Sequence, residues 1–245
     1  MRTAERFHRA RRDPELAVLE GFHALKHALR FGADILEVAA IAPARLARLA
    51  ESLAPDLGTR ISDAVTEVLP REELARLVPR PPATGVVAIA RRRLATPAQA
   101  LDMANAASAI ALIEPRHAGN LGAVVRVAAA AGAAGVVAVG GRDPWEPGAI
   151  RGAAGLQYAL PVARADRLPQ TARPIVAVDP AGEPMDERAI PPGALLVFGT
   201  EREGLGGEVL SRADLRVAIP MRPAVSSLNL ATAVAVILYA SRRGG

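Results

Sequence analysis

Five short runs constrain this chain more than anything else in it: "AIALI" (109–113), "GVVAVG" (135–140), "PIVAVD" (174–179), "ALLVFG" (194–199) and "LRVAIP" (215–220). A strand with one wet face alternates apolar and polar residues. These runs do not alternate, so both of their faces must be covered, as in a parallel sheet. Between and after them lie helical stretches: "NLGAVVRVAAAAG", "PGAIRGAAG" and the final "LNLATAVAVILYASRR". Strands alternating with helices imply an α/β fold, a mostly parallel sheet under helical cover. The chain is 51% hydrophobic but only 3% aromatic, so its core is built from Ala, Val, Leu and Ile.

The first part of the chain reads as a smaller α/β unit. "PELAVLEGFHALKHALRFGA" (14–33) places Leu16, Leu19, Phe22, Leu25 and Leu29 at helical spacing and ends at Gly32. "DILEVAAIA" then reads as a strand, "PARLARLAESL" as a helix, "RISDAVTEV" as a strand, "REELARLV" as a short helix and "GVVAIA" (85–90) as a closing strand. The expected domains are residues 1–90, a linker at 91–106, and residues 107–245.

Composition excludes several functions. There is no cysteine, hence no disulfide, thiolate metal site or cysteine nucleophile, which fits a reducing cytoplasm. The N-terminus has basic residues without an apolar stretch behind them and does not read as a signal peptide. The longest apolar runs, Val127–Val139 and Leu230–Ala240, fall short of the roughly 20 residues of a membrane span, so no membrane association is expected. The net charge is +5, and Lys26 is the only lysine. Arginine-rich composition has two readings: a GC-rich genome, or an anionic partner such as phosphate, which guanidinium matches bidentately. Two clusters favour the partner: Arg6, Arg9, Arg11 and Arg12, and Arg91, Arg92 and Arg93.

In open α/β sheets, ligands bind beyond the carboxyl ends of the strands. Three polar, glycine-bearing loops fall there. In "EPRHAGNLGAVVR" (114–126), Asn120 is a natural helix N-cap. Arg126 sits inside an apolar run, where an unpartnered buried charge would be costly and a partner or substrate is expected. "FGTEREGLGGEVL" (198–210) follows a buried strand, and its glycines let the backbone approach a ligand. In "IPMRPAVSSLNLATA" (219–233), Ser226 or Ser227 is expected to cap the last helix, leaving Asn229 in need of a partner.

These three loops, in this order, resemble the motifs of the SpoU (TrmH-like) branch of the SPOUT RNA methyltransferases. "GNLGAVVR" looks like the first motif through Asn120 and Arg126. "GTEREGL" looks like the second through Glu201, Gly204 and Leu205. The third carries Pro220, Met221, Ser227, Leu228 and Asn229. "DPWEPGAIRGAAG", with Arg151, also looks family-like. Residues 20–90 are similar to the substrate-binding domain often attached to such enzymes.

The resemblance implies a SPOUT-type α/β catalytic domain with a deep trefoil knot, a homodimer with sites at or near its interface, and a small N-terminal α/β domain that binds RNA. It implies transfer of a methyl group from S-adenosylmethionine to a ribose 2′-hydroxyl in ribosomal or transfer RNA, with no metal required because the sulfonium methyl is already activated. The cofactor would be held by Gly199, Thr200, Gly204, Ile219, Met221 and Leu228. The family pattern assigns Arg126 a direct role at the hydroxyl. A guanidinium stays protonated at ordinary pH, which favours gripping the adjacent phosphate and stabilising developing oxyanion charge. Asn120, Glu201, Ser227 and Asn229 would position that group and the hydroxyl. The N-terminal domain and the arginine clusters would bind RNA through phosphate and shape contacts, since aromatics for base stacking are scarce.

Three alternatives stay open. One is a non-catalytic RNA-binding protein that keeps the knotted fold, and another is a base-directed knotted methyltransferase. A nucleotide-dependent oxidoreductase is the third, although no GxGxxG loop is present.

Overall fold

The computed structural model describes residues 2–185, 190–199 and 204–241. The first elements are α1 (Thr3–Ala10), β1 (Leu16–Glu20), α2 (Phe22–Arg30), β2 (Ile35–Ala40), α3 (Pro43–Leu53), α4 (Gly58–Asp63), β3 (Glu67–Val68), α5 (Arg71–Ala75) and β4 (Val86–Arg91). Next come α6 (Pro97–Ala100), β5 (Ala109–Ile113), α7 (Ala118–Ala131), β6 (Val136–Val139), α8 (Pro147–Ala153) and β7 (Val162–Ala165). The chain continues through β8 (Ile175–Pro184), β9 (Leu195–Phe198), α9 (Gly207–Ser211), β10 (Leu215–Ala218) and α10 (Leu230–Ser241). Two compact units result. One holds Met1–Arg93 with Trp145–Ala159; the other holds Leu94–Pro144 with Leu160–Gly245.

The first unit is a mixed four-stranded sheet in the order β1-β4-β2-β3. One face packs Leu19, Phe22, Leu25, Leu46 and Ile61 together with Trp145, Ile150 and Tyr158 from the returning segment. The other packs Phe7, Val18, Leu74, Leu77 and Ile89. The scarce aromatics thus concentrate here, and the Trp145 and Tyr158 rings meet edge to face at 5.0 Å. Glu20, almost wholly buried, accepts from Arg11 at 2.6 Å and from Arg151 Nε at 3.0 Å. The family-like Arg151 therefore has a structural partner within this unit.

Two sequence expectations fail in this unit. Residues 16–20 form a strand, not the start of a helix. Gly21 sits at φ +99°, a conformation that breaks a helix, and its N–H extends the ladder to Val86. Four consecutive buried residues, Ala17 to Glu20, mark a strand covered on both faces, which the leucine spacing disguised. "RISDAVTEV" is mostly α4 and a turn, with only Glu67–Val68 extended; Ile61, Ala64 and Val65 pack at i, i+3, i+4.

The arginine clusters are largely used by the fold. Arg6 pairs with Glu37 at 2.7 Å and Glu67 at 3.2 Å. Arg91 pairs with Asp34, Arg92 donates to the Leu16 carbonyl, and Arg93 donates to the carbonyls of Tyr158, Phe31 and Gly32. Arg9 and Arg12 remain exposed, with no side-chain partner among the described residues.

The second unit is a six-stranded sheet in the order β10-β8-β9-β5-β6-β7, every adjacent pair parallel. β5, β6 and β9 are buried along nearly their whole length, as their unalternating sequence requires. α7 and α10 pack on each other. Arg173, 2% exposed, anchors the loop that leads into β5. Its guanidinium donates to the carbonyls of Leu101, Asp102, Asn105, Ala107 and Gly193.

Arg173→Met should leave those carbonyls without their donor, and cost on the order of 3 kcal/mol in urea unfolding, with Arg173→Lys recovering only part. The second expectation concerns acid. His27 Nδ1–H donates to the Ala154 carbonyl at 2.8 Å. Burial pulls the pKa of His27 below the ordinary imidazole value, the backbone bond opposing it only in part. The unfolded imidazole then takes up its proton first as pH falls. The stability contributed is full above the unfolded pKa and is lost on acidification through the folded one. The melting temperature should therefore fall as the pH drops below about 6.5, the ordinary imidazole value, and His27→Gln should flatten that fall.

Candidate active site

In the second unit, a cavity of about 390 Å³ opens beyond the carboxyl ends of β9 and β10 and against β8. That volume suits a small molecule. Its apolar walls are Val178, Phe198, Ile219, Met221, Leu228, Leu230 and Ala233, with Pro180 beside them. Gly199, Gly204, Ser226 and Ser227 supply backbone and hydroxyl groups, and Asp179 supplies a charge.

The two glycines shape the cavity. A Cβ on Gly199 would lie 2.2 Å from the Gly204 carbonyl oxygen, so the loop leaving β9 can close on itself only with glycine there. Gly204 adopts φ +63°, which favours glycine again. The stretch between them includes Thr200 and Glu201, both candidates from the sequence; they lie outside the described residues. The other cofactor candidates, Gly199, Gly204, Ile219, Met221 and Leu228, all line the cavity, as does Ser227.

Asn229 does not await a partner inside a helix. It is itself the N-cap of α10: its Oδ1 accepts from the N–H of Ala231 at 2.9 Å and of Thr232 at 3.4 Å. Neither serine caps the helix, which begins two or three residues later than a serine cap would require, and both are left to the cavity wall. The other half of the same amide, Nδ2, donates to Asn120 Oδ1 at 3.2 Å. Asn120 is not a cap either. α7 starts at Ala118 after His117, which places Asn120 in its first turn. One amide–amide bond thus joins the first-motif helix to the third-motif loop.

Arg126 is not drawn into this group. α7 buries Leu121, Val124, Val125 and Ala128, while Arg126 is exposed, does not line the cavity and has no partner among the described residues. The apolar run around it did leave a solvent face. α10 likewise leaves Val236 and Tyr239 exposed, at 37% and 47%.

Sequence reading missed the wall contributed by β8. Between Ala177, paired with Arg216, and Glu183, paired with Val217, the strand bulges away from β10. Val178, Asp179 and Pro180 line the cavity from that segment. The one available signal was the polar residue ending "PIVAVD" at a strand's carboxyl end. Asp179 Oδ1 accepts from Arg216 at 2.6 Å and from the Ala181 N–H at 2.8 Å. Burial alone would raise the pKa of this carboxyl, but those two donors outweigh it and hold the group below the usual carboxylate value. Among the described residues no cluster of His, Asp and Glu could hold a metal ion, and no helix is long and apolar enough to cross a membrane.

Comparison with known proteins agrees with this geometry. Residues 107–239, more than half of the chain, match the model of the SpoU rRNA Methylase family. An uncharacterized tRNA/rRNA methyltransferase of Synechocystis is 37% identical over 134 residues, which are 51% of this chain and 49% of that protein. The 23S rRNA (uridine(2479)-2′-O)-methyltransferase of Streptomyces viridochromogenes is 32% identical over 143 residues, 53% of this chain and 50% of that one. The chain thus spans about half the length of these relatives. The crystal structure of an AdoMet-bound rRNA methyltransferase from Sinorhizobium meliloti superposes with a TM-score of 0.72 at 26% identity, covering 95% of this chain and 89% of that one. The α/β fold is of the SPOUT type. With its strand-end motifs and its parallel sheet both in that pattern, the chain belongs to the SpoU rRNA methylase family.

Proposed function

We propose that this protein is an RNA 2′-O-ribose methyltransferase that uses S-adenosylmethionine. The observation that carries the reading is the cavity at the strand ends. Its walls are apolar side chains and the backbone of a glycine-pinched loop, which suits a flat adenosine and a methionine-derived chain. Gly199, Gly204, Ile219, Met221 and Leu228, with Thr200 beside them, would hold the cofactor. Bound there, it supplies an activated methyl group.

The chain's own groups then have to bring a ribose 2′-hydroxyl into line and lower the cost of its lost proton. Arg126 is the cation for that work, gripping the neighbouring phosphate and stabilising negative charge at the attacking oxygen. Ser227, on the cavity wall, faces the incoming ribose. The Asn120–Asn229 bond keeps the third-motif loop in register with the helix that carries Arg126. Glu201 is assigned a positioning role by its place in the second motif.

The exposed placement of Arg126, outside the cavity, supports a site completed across a homodimer, as do the exposed Val236 and Tyr239 on the adjacent α10. The threading of the strand-end loops into a trefoil knot belongs to the same family reading. So does a two-part organisation in which the first unit binds ribosomal or transfer RNA. Arg9 and Arg12 are the members of the arginine clusters left free for phosphate. The composition without cysteine suits work in the cytoplasm.

Methyl transfer from labelled S-adenosylmethionine into RNA from cells lacking this gene tests the activity, with ribose methylation mapped at single-nucleotide resolution. Arg126→Lys should lower kcat by about 100-fold at neutral pH with cofactor affinity unchanged; near-normal turnover would remove Arg126 from the mechanism. Gly199→Ala should weaken S-adenosylmethionine binding by about tenfold or more in calorimetry, because its methyl cannot coexist with the Gly204 carbonyl.

A further inference from the structure

Asp179 is the one charged side chain among the described residues that line the cavity, and the family motifs do not include it. It is carried there by the bulge in β8. Its two oxygens have different surroundings. Oδ1 takes the Arg216 guanidinium and the Ala181 N–H. Oδ2 receives no hydrogen bond among the described residues and lies 3.7 Å from where a Cβ on Gly204 would stand, beside the pinched loop.

A carboxylate held ionised by an arginine on one oxygen, whose other oxygen meets no donor among the described residues, can accept from a donor or face a cation. The apolar side chains around it lower the local polarity and strengthen a charge interaction made there. S-adenosylmethionine is the kind of ligand that would exploit it. Its sulfonium and its ammonium are positive, and transfer of the methyl group neutralises the sulfur.

We propose that Asp179 is a specificity-determining residue that selects a positively charged ligand for this cavity through Oδ2, with Arg216 orienting the carboxylate from its other oxygen. The inference rests on the cofactor reading given above. It assigns the preference for a charged cofactor to a single side chain that the bulge delivers.

Calorimetry on the full chain separates the possibilities with three probes. S-adenosylmethionine carries both positive groups, S-adenosylhomocysteine only the ammonium, and 5′-methylthioadenosine neither. Asp179→Asn should weaken S-adenosylmethionine at least tenfold and leave 5′-methylthioadenosine within about twofold. That unchanged affinity also reports that the cavity is still folded. A loss for S-adenosylhomocysteine as large as that for S-adenosylmethionine locates the contact at the ammonium; a loss for S-adenosylmethionine alone locates it at the sulfonium. Arg216→Met should weaken the same probes as Asp179→Asn but by less, since it removes the group that orients the carboxylate and not the acceptor itself. Equal losses for all three probes in Asp179→Asn, or no loss for any, would overturn the proposal while leaving the cofactor reading intact. A wild-type chain that binds none of the three would overturn both.

Discussion

A sheet covered on both faces can meet a ligand only at its ends, and this constraint organises the second unit. The strands β5, β6 and β9 are sealed along nearly their entire length. Their backbone groups are consumed by parallel ladders, and their side chains by the helical layers. What chemistry the unit has must therefore sit in the loops that leave the strands. The cavity lies there, against β8 and beyond β9 and β10.

Within that constraint the site is held by very small groups. Two glycines let one loop fold onto itself, and one asparagine amide does two jobs with its two ends. The capping bond starts α10 where the loop ends. The bond to Asn120 ties that start to α7. Apolar packing between α7 and α10 makes this economical, since both helices are already in contact and only their polar ends need to be set in register. The first unit solves a different problem: its sheet alone does not supply its aromatic core, and Trp145 and Tyr158 are brought back from beyond β6 to complete it.

Much of this was legible in one dimension. Unalternating runs announced a parallel sheet, and β5, β6, β8, β9 and β10 all fall on them. The strand-end loops that bear Gly199, Ile219 and Leu228 could be named from their polar and glycine-rich composition next to those runs, and all three residues line the cavity. The failures have physical causes. Leucines at 16 and 19 satisfy helical spacing whether or not the backbone is helical, and the break at Gly21 becomes visible only through its φ. Asn229 looked stranded because the choice among three neighbouring capping residues depends on where α10 begins, and packing decides that. The β8 bulge left only a faint mark, the polar and strand-breaking residues from Asp179 to Gly182.

The sequence by itself determined the class of the fold, the family and the order of the strand-end loops, because burial on two faces and motif spacing are properties of consecutive residues. Tertiary structure decided which polar groups converge. Asn120 meets Asn229 across 109 positions of chain, and Asp179 enters the cavity only because its strand departs from the register of β10. It also decided that Arg126 points outward, and that most of the clustered arginines hold the first unit together. Contacts between distant residues are set by how the layers pack, and that packing is a sum over the whole chain which no local stretch encodes.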